Sequence, residues 1–189
     1  MEQQKQSRIS SWLSGASAGQ FSIYAMGFAF ATYFCMYAFR KPFGAATFEG
    51  LEFLWGINLK TAFVIGQIIG YTISKYYGCK YCSEINRNQQ AKALVLMIVI
   101  AEAALLGFAL LPGNLKVLAI FINGLPLGMV WGLVSRYLEG RKTAELLFAG
   151  LSCSYIVASS SVKTIGGWVM EAGVTEFWMP ATVGAIFFI

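Results

Sequence analysis

The sequence predicts an all-α polytopic membrane protein, and three observations carry that prediction. Hydrophobic residues make up 57% of the chain, aromatics 15% and charges only 12%, far from the usage of a water-soluble domain. The apolar residues are gathered into long runs, the first of which, Gly19 to Phe39, holds 21 residues without a charge. That length crosses a hydrocarbon core of roughly 30 Å as a helix. The cations fall mostly in the connections between runs, so the net charge of +5 reflects membrane topology and gives no reason to expect a nucleic-acid partner.

Taken in order, residues 1–18 form a polar tail with Lys5 and Arg8, and residues 19–189 form a transmembrane bundle. Helices are expected at about 19–39, 58–77, 93–111, 117–137 and 146–162, each an apolar run bounded by charges, glycine or proline. The last apolar stretch, 177–189, has 13 residues, too short for a span, so the sixth helix is expected to be incomplete. Gly66, Gly70, Ser74 and Gly78 recur every four residues in helix 2, Gly124, Gly128 and Gly132 in helix 4, and Gly150, Ser154 and Ala158 in helix 5. Such small-residue stripes let neighbouring helices approach closely.

Orientation follows from the basic residues of alternate connections. The tail and the 2–3 and 4–5 connections hold 9 Lys and Arg, the other three connections 5, so the amino terminus is expected in the cytoplasm. There is no histidine and no aspartate, which removes the usual zinc sets, histidine bases and serine triads. An enzyme is therefore not expected, nor is a cofactor or metal. Cys79 and Cys82 form a lone C-x-x-C without a second pair, and metal or redox chemistry there is the minor reading.

The stretch that carries ligand chemistry closes helix 1. Tyr33, Tyr37 and Arg40 are spaced i, i+4, i+7, so two phenols and a guanidinium share one helical face, and Lys41 and Pro42 follow at once. A planar fork donor between phenols suits an anionic oxygen, phosphate above all. The alternative is that Arg40 and Lys41 snorkel to the headgroups.

Six helices with this topology resemble one half, the amino-terminal one, of a major facilitator superfamily transporter. The run Gly70 to Lys80 resembles that superfamily's signature between helices 2 and 3, with Ser74 where an aspartate stands and one residue more. Tyr37-x-x-Arg40-Lys41-x-Phe43 is similar to the end of helix 1 in the organophosphate:phosphate antiporters. Helix 4, with Asn123-Gly124-x-x-x-Gly128-Met129-x-Trp131 and Arg136, is similar to the same branch. Phe39 to Phe43 is also similar to uncharacterised bacterial families of that superfamily. The resemblance implies that Arg40 grips phosphate at the midplane, that a second arginine comes from a missing carboxy-terminal six-helix half, and that the protein sits in a bacterial inner membrane.

The expected function is therefore half of a secondary transporter for a small organic anion, a phosphorylated metabolite, working by alternating access. The alternative is a transporter-like receptor that senses a sugar phosphate without moving it. Arg40, Lys41, Tyr37, Tyr33, Lys163, Lys60, Asn123 and Trp131 are the candidate substrate residues. Lys75, Lys80, Arg136, Glu139 and Arg141 are candidates for a cytoplasmic latch. Glu102, a carboxylate inside helix 3, is the candidate for proton coupling, against a structural role. The expected partners are the lipid bilayer, the anionic solute and the absent half.

Overall fold

Ser17 and Gln20 start the first helix by capping each other's backbone: the Ser17 hydroxyl accepts from the Gln20 N–H at 3.3 Å and Gln20 Oε1 accepts from the Ser17 N–H at 3.0 Å. The computed structural model describes residues 15–139 and 143–188. Within them the chain forms α1 (Ala18–Ala38), α2 (Leu59–Glu84), α3 (Arg87–Leu110), α4 (Leu115–Leu138), α5 (Ala144–Glu171) and α6 (Met179–Phe188). Most of the tail, with Lys5 and Arg8, and the latch candidate Arg141 lie outside the described residues.

All six predicted helices are present, and three helix ends differ in an instructive way. α2 continues past Tyr77 to Glu84 and α3 begins at Arg87, so the predicted polar connection shrinks to Ile85 and Asn86. α5 continues past Lys163 to Glu171. Lys80, Glu84 and Lys163 are exposed on these extensions. An uncharged run ends at the first charge, but a helix does not have to, because a long charged side chain can leave its surface.

α1, α3, α4 and α5 are each long and apolar enough to cross a membrane. α2 is as long, but Lys60, Gln67, Lys75 and Lys80 dilute its apolar character. Large apolar side chains point outward around the bundle, among them Ile23 (75% exposed), Val95 (62%) and Ile156 (77%). So much outward apolar surface suits hydrocarbon and not water.

α4 sits at the centre, packed on α2, α3 and, more lightly, α1 and α5. α1 packs on α5, and the short α6 wedges against α3, α5 and α1. The α2–α4 contact is built from the two predicted glycine stripes. A Cβ on Gly70 would fall on the Phe121 carbonyl, and one on Gly128 would lie 2.6 Å from the Tyr71 carbonyl oxygen. Only glycine lets these two backbones touch.

The connection between α1 and α2 is pinned by groups that the sequence did not single out. Both carboxylate oxygens of Glu176 accept from the Phe48 N–H, and Oε1 also accepts from the Thr47 N–H and hydroxyl, at 3.1–3.4 Å. These bonds hold Phe48 at φ 52 while its ring is buried against Phe63, Phe108 and Phe177. Lys116 Nζ donates to the Phe108 and Ala109 carbonyls at 2.8 and 3.2 Å, capping the end of α3.

Candidate functional site

α1 stops early, and that places Arg40. The helix ends at Ala38, Pro42 opens a short 3-10 turn over Pro42–Ala45, and the chain travels outward from there. The Arg40 carbonyl accepts from Gln67 Nε2 at 3.1 Å, and the Phe39 carbonyl accepts from Asn123 Nδ2 at 3.2 Å. Gln67 and Asn123 each lie eight residues inside their helices, counted from Leu59 and Leu115. At 1.5 Å per residue the Arg40 backbone is therefore about 12 Å below the outer helix ends. A headgroup anchor would sit at those ends, so the depth favours a ligand role over snorkelling.

From that level the Arg40 side chain reaches Tyr71, with its guanidinium carbon 4.1 Å from the ring centroid and 6.0 Å from the Tyr37 ring. Tyr71 is the thirteenth of the 26 residues of α2, its midpoint. Lys75, one turn further on, sends its ammonium back to the same ring, 5.1 Å from the Tyr71 centroid and 5.0 Å from Trp131. Two cations thus share one aromatic platform.

A second layer of rings backs this platform. Tyr33, Tyr37 and Tyr155 are mutual neighbours, with centroids 4.8–6.3 Å apart. Trp131 Nε1 donates to the Tyr155 hydroxyl at 2.7 Å, which fixes both rings. Tyr33 and Tyr37 are buried, Tyr71, Trp131 and Tyr155 partly open, and Lys75 exposed. The Arg40 Nε is buried and has no acceptor. An unpaired buried donor costs about 1–3 kcal/mol, which an oxygen ligand would recover.

The predicted residues therefore divide. Arg40, Tyr37, Tyr33 and Trp131 come together as the sequence suggested. Lys41 is half-buried within electrostatic reach of Arg40 and Lys163, and the Lys163 side chain lies against Gly44 in the turn that follows. Lys60 is in the first turn of α2, about 16 Å along the helix from Tyr71, and does not join the cluster. Asn123 is fully buried and its carboxamide is committed to protein: Oδ1 accepts from Gln67 at 2.9 Å, and Nδ2 donates to Phe39 and Ala101. It positions the site and has no donor left for a ligand.

The latch residues divide as well. Lys75 lies at the central platform, nine residues before the end of α2. Arg136 Nη1 donates to the Cys82 carbonyl and so caps the end of α2. Lys80 and Glu139 are exposed. Glu102 faces α6, away from the rings, with Gly184 directly against its carboxylate.

Tyr71, Tyr155 and Gln67 were missed. Tyr71 could have been found, since it stands four residues before Lys75 on the same helical face. Gln67 is a polar residue in an apolar run, a signal of the same kind as Glu102. Tyr155 has no sequence signal, because only the α1–α5 packing brings it to Tyr33.

No curated protein and no solved structure matches this chain. The sequence profile of one family, described as a family of unknown function (DUF5690), matches residues 42–189, which begins two residues beyond Arg40 and includes Tyr71, Lys75, Trp131 and Tyr155. With well over half of its length matched, the chain belongs to the DUF5690 family.

Proposed function

We propose that this chain is the amino-terminal six-helix half of a major facilitator-type membrane carrier for a small organic anion bearing a phosphate. The observation that carries the reading is the Arg40 guanidinium: it rests on Tyr71 at the midpoint of α2, with a buried Nε that lacks an acceptor. Lys75 at the same ring adds a second positive charge, and a dianion suits two cations better than a monocarboxylate does. In this reading Arg40 holds two phosphate oxygens, Lys75 neutralises the remaining charge, and Tyr37, Tyr155 and Trp131 flank the organic part. No bond is made or broken, so the role is binding and passage, not catalysis. Alternating access would rock this bundle against a second six-helix half around the midplane site.

The test compares Arg with Lys. Arg40→Lys in the full-length protein keeps the charge and loses the fork. Affinity for a phosphorylated substrate should fall by about 1.5–3 kcal/mol, roughly 10- to 150-fold. Calorimetry against a panel of phosphate monoesters and matched carboxylates reads this directly. Equal affinity for wild type and Arg40→Lys would remove the support for a phosphate ligand. Uptake into proteoliposomes, measured alongside, separates a carrier from a sensor that binds without transport.

A further inference from the structure

Glu102 is a carboxylate that the anion site does not use. It lies two-thirds of the way along α3, and its Oε2 is buried without a hydrogen-bond partner. From α6, Gly184 presses so closely that a Cβ there would overlap Oε2, and Ala185 and Phe188 line the apolar cavity beside it. From α1 the ring of Phe39 closes the same space. On α3 itself the neighbours are Val99, Ala103 and Leu106. None of these side chains titrates, and no residue of α6 from Met179 to Phe188 is charged. α4 contributes no charge either: Lys116 and Arg136 stand near its two ends, engaged with the ends of α3 and α2.

An ionised carboxylate with no counter-ion and no donor is among the costliest groups a hydrocarbon-level site can hold. A proton removes that charge. We infer that Glu102 is a proton-binding site, occupied while α6 lies against α3 and emptied when the two helices part. Loss of the proton breaks the Oε–H bond and passes H⁺ to water, leaving a carboxylate that water must solvate. While the helices touch, Gly184 covers Oε2, and the cavity of about 290 Å³ beside it is lined, apart from Glu102, by Val99, Ala103, Leu106, Ala185 and Phe188, apolar groups that offer such water no partner. Ionisation and separation of α3 from α6 are therefore one event. The site is wired to the anion platform through Asn123, which bonds both the Ala101 carbonyl beside Glu102 and the Phe39 carbonyl beside Arg40. The inference does not depend on which anion, if any, Arg40 binds.

Infrared spectroscopy of the full-length protein in lipid nanodiscs tests the first half. At neutral pH wild type should show the C=O stretch of a protonated carboxylic acid without a hydrogen-bond partner. Glu102→Gln, an isosteric neutral stand-in, should delete the band, and alkaline titration of wild type should remove it. A band absent from wild type, or one that survives in Glu102→Gln, overturns the assignment. Should Glu102→Gln fail to assemble, Glu102→Asp must move the band, since the shortened carboxyl meets a different surface. The second half is read by a Phe188→Cys thiol in a chain whose Cys35, Cys79, Cys82 and Cys153 are replaced by serine. Its labelling by a water-soluble maleimide should rise more steeply with pH when Glu102 is present than in Glu102→Gln. Identical pH profiles would show that ionisation leaves α6 in place.

Discussion

At Asn123 one carboxamide joins four helices. It takes a hydrogen bond from Gln67 of α2 and gives one each to the ends of α1 and the middle of α3. Intramembrane polar residues invite a functional reading, and here the function is indirect: the bonds set the depth of Arg40. Asn123→Leu should therefore destabilise the fold. Three bonds at the roughly 0.6 kcal/mol average measured for side-chain bonds in membrane proteins give about 2 kcal/mol. Denaturation in mixed micelles measures this, and an unchanged midpoint would show that the carboxamide is dispensable. Arg40 was legible at this scale because Tyr33, Tyr37 and Arg40 fall on one face by spacing alone. Tyr155 was not, because its place beside Tyr33 depends on how α5 packs against α1.

The helices themselves show a similar division. Every apolar run became a helix, since a backbone in hydrocarbon has no other local way to satisfy its N–H and C=O groups. The ends moved wherever a charge could reach solvent, as at Lys80 and Lys163. The glycine stripes of α2 and α4 were visible as repeats, and the structure adds that they face one another. Gly70→Leu should drive four carbons into the Phe121 carbonyl, against which no rotamer helps. We expect loss of the assembled protein on size-exclusion chromatography. Gly107→Ala is the control: its Cβ would meet Ala119 at 3.9 Å and Leu111 at 4.0 Å, ordinary contact distances, and should leave assembly unchanged. Equal behaviour of the two variants would argue against a glycine-built crossing.

For the molecule as a whole, the basic residues predict which side each end faces. The asymmetry of 9 against 5 predicts a cytoplasmic α2–α3 turn. Cys79 is exposed near that turn, whereas Cys82 is buried with its thiol directed at the Met129 carbonyl, 3.7 Å away. In sealed right-side-out vesicles an impermeant maleimide should therefore miss both. After permeabilisation it should label Cys79 quickly and Cys82 slowly. Labelling of Cys79 in sealed vesicles would reverse the orientation.

The helical class, the number and approximate positions of the helices and the aromatic–cationic end of α1 follow from the sequence by itself. Those features rest on local physics: run length against bilayer thickness, 3.6-residue periodicity and the helix-ending effect of Pro42. Only the tertiary structure decided that Lys75 serves the central platform, that Asn123 is a support, that Glu176 pins the α1–α2 connection and that Glu102 faces glycine. Each of these depends on which helix lies beside which and at what height. That arrangement is set by contacts between residues far apart in the chain, as between Gly128 and Tyr71 or Arg40 and Gln67, and no periodicity within one helix encodes it.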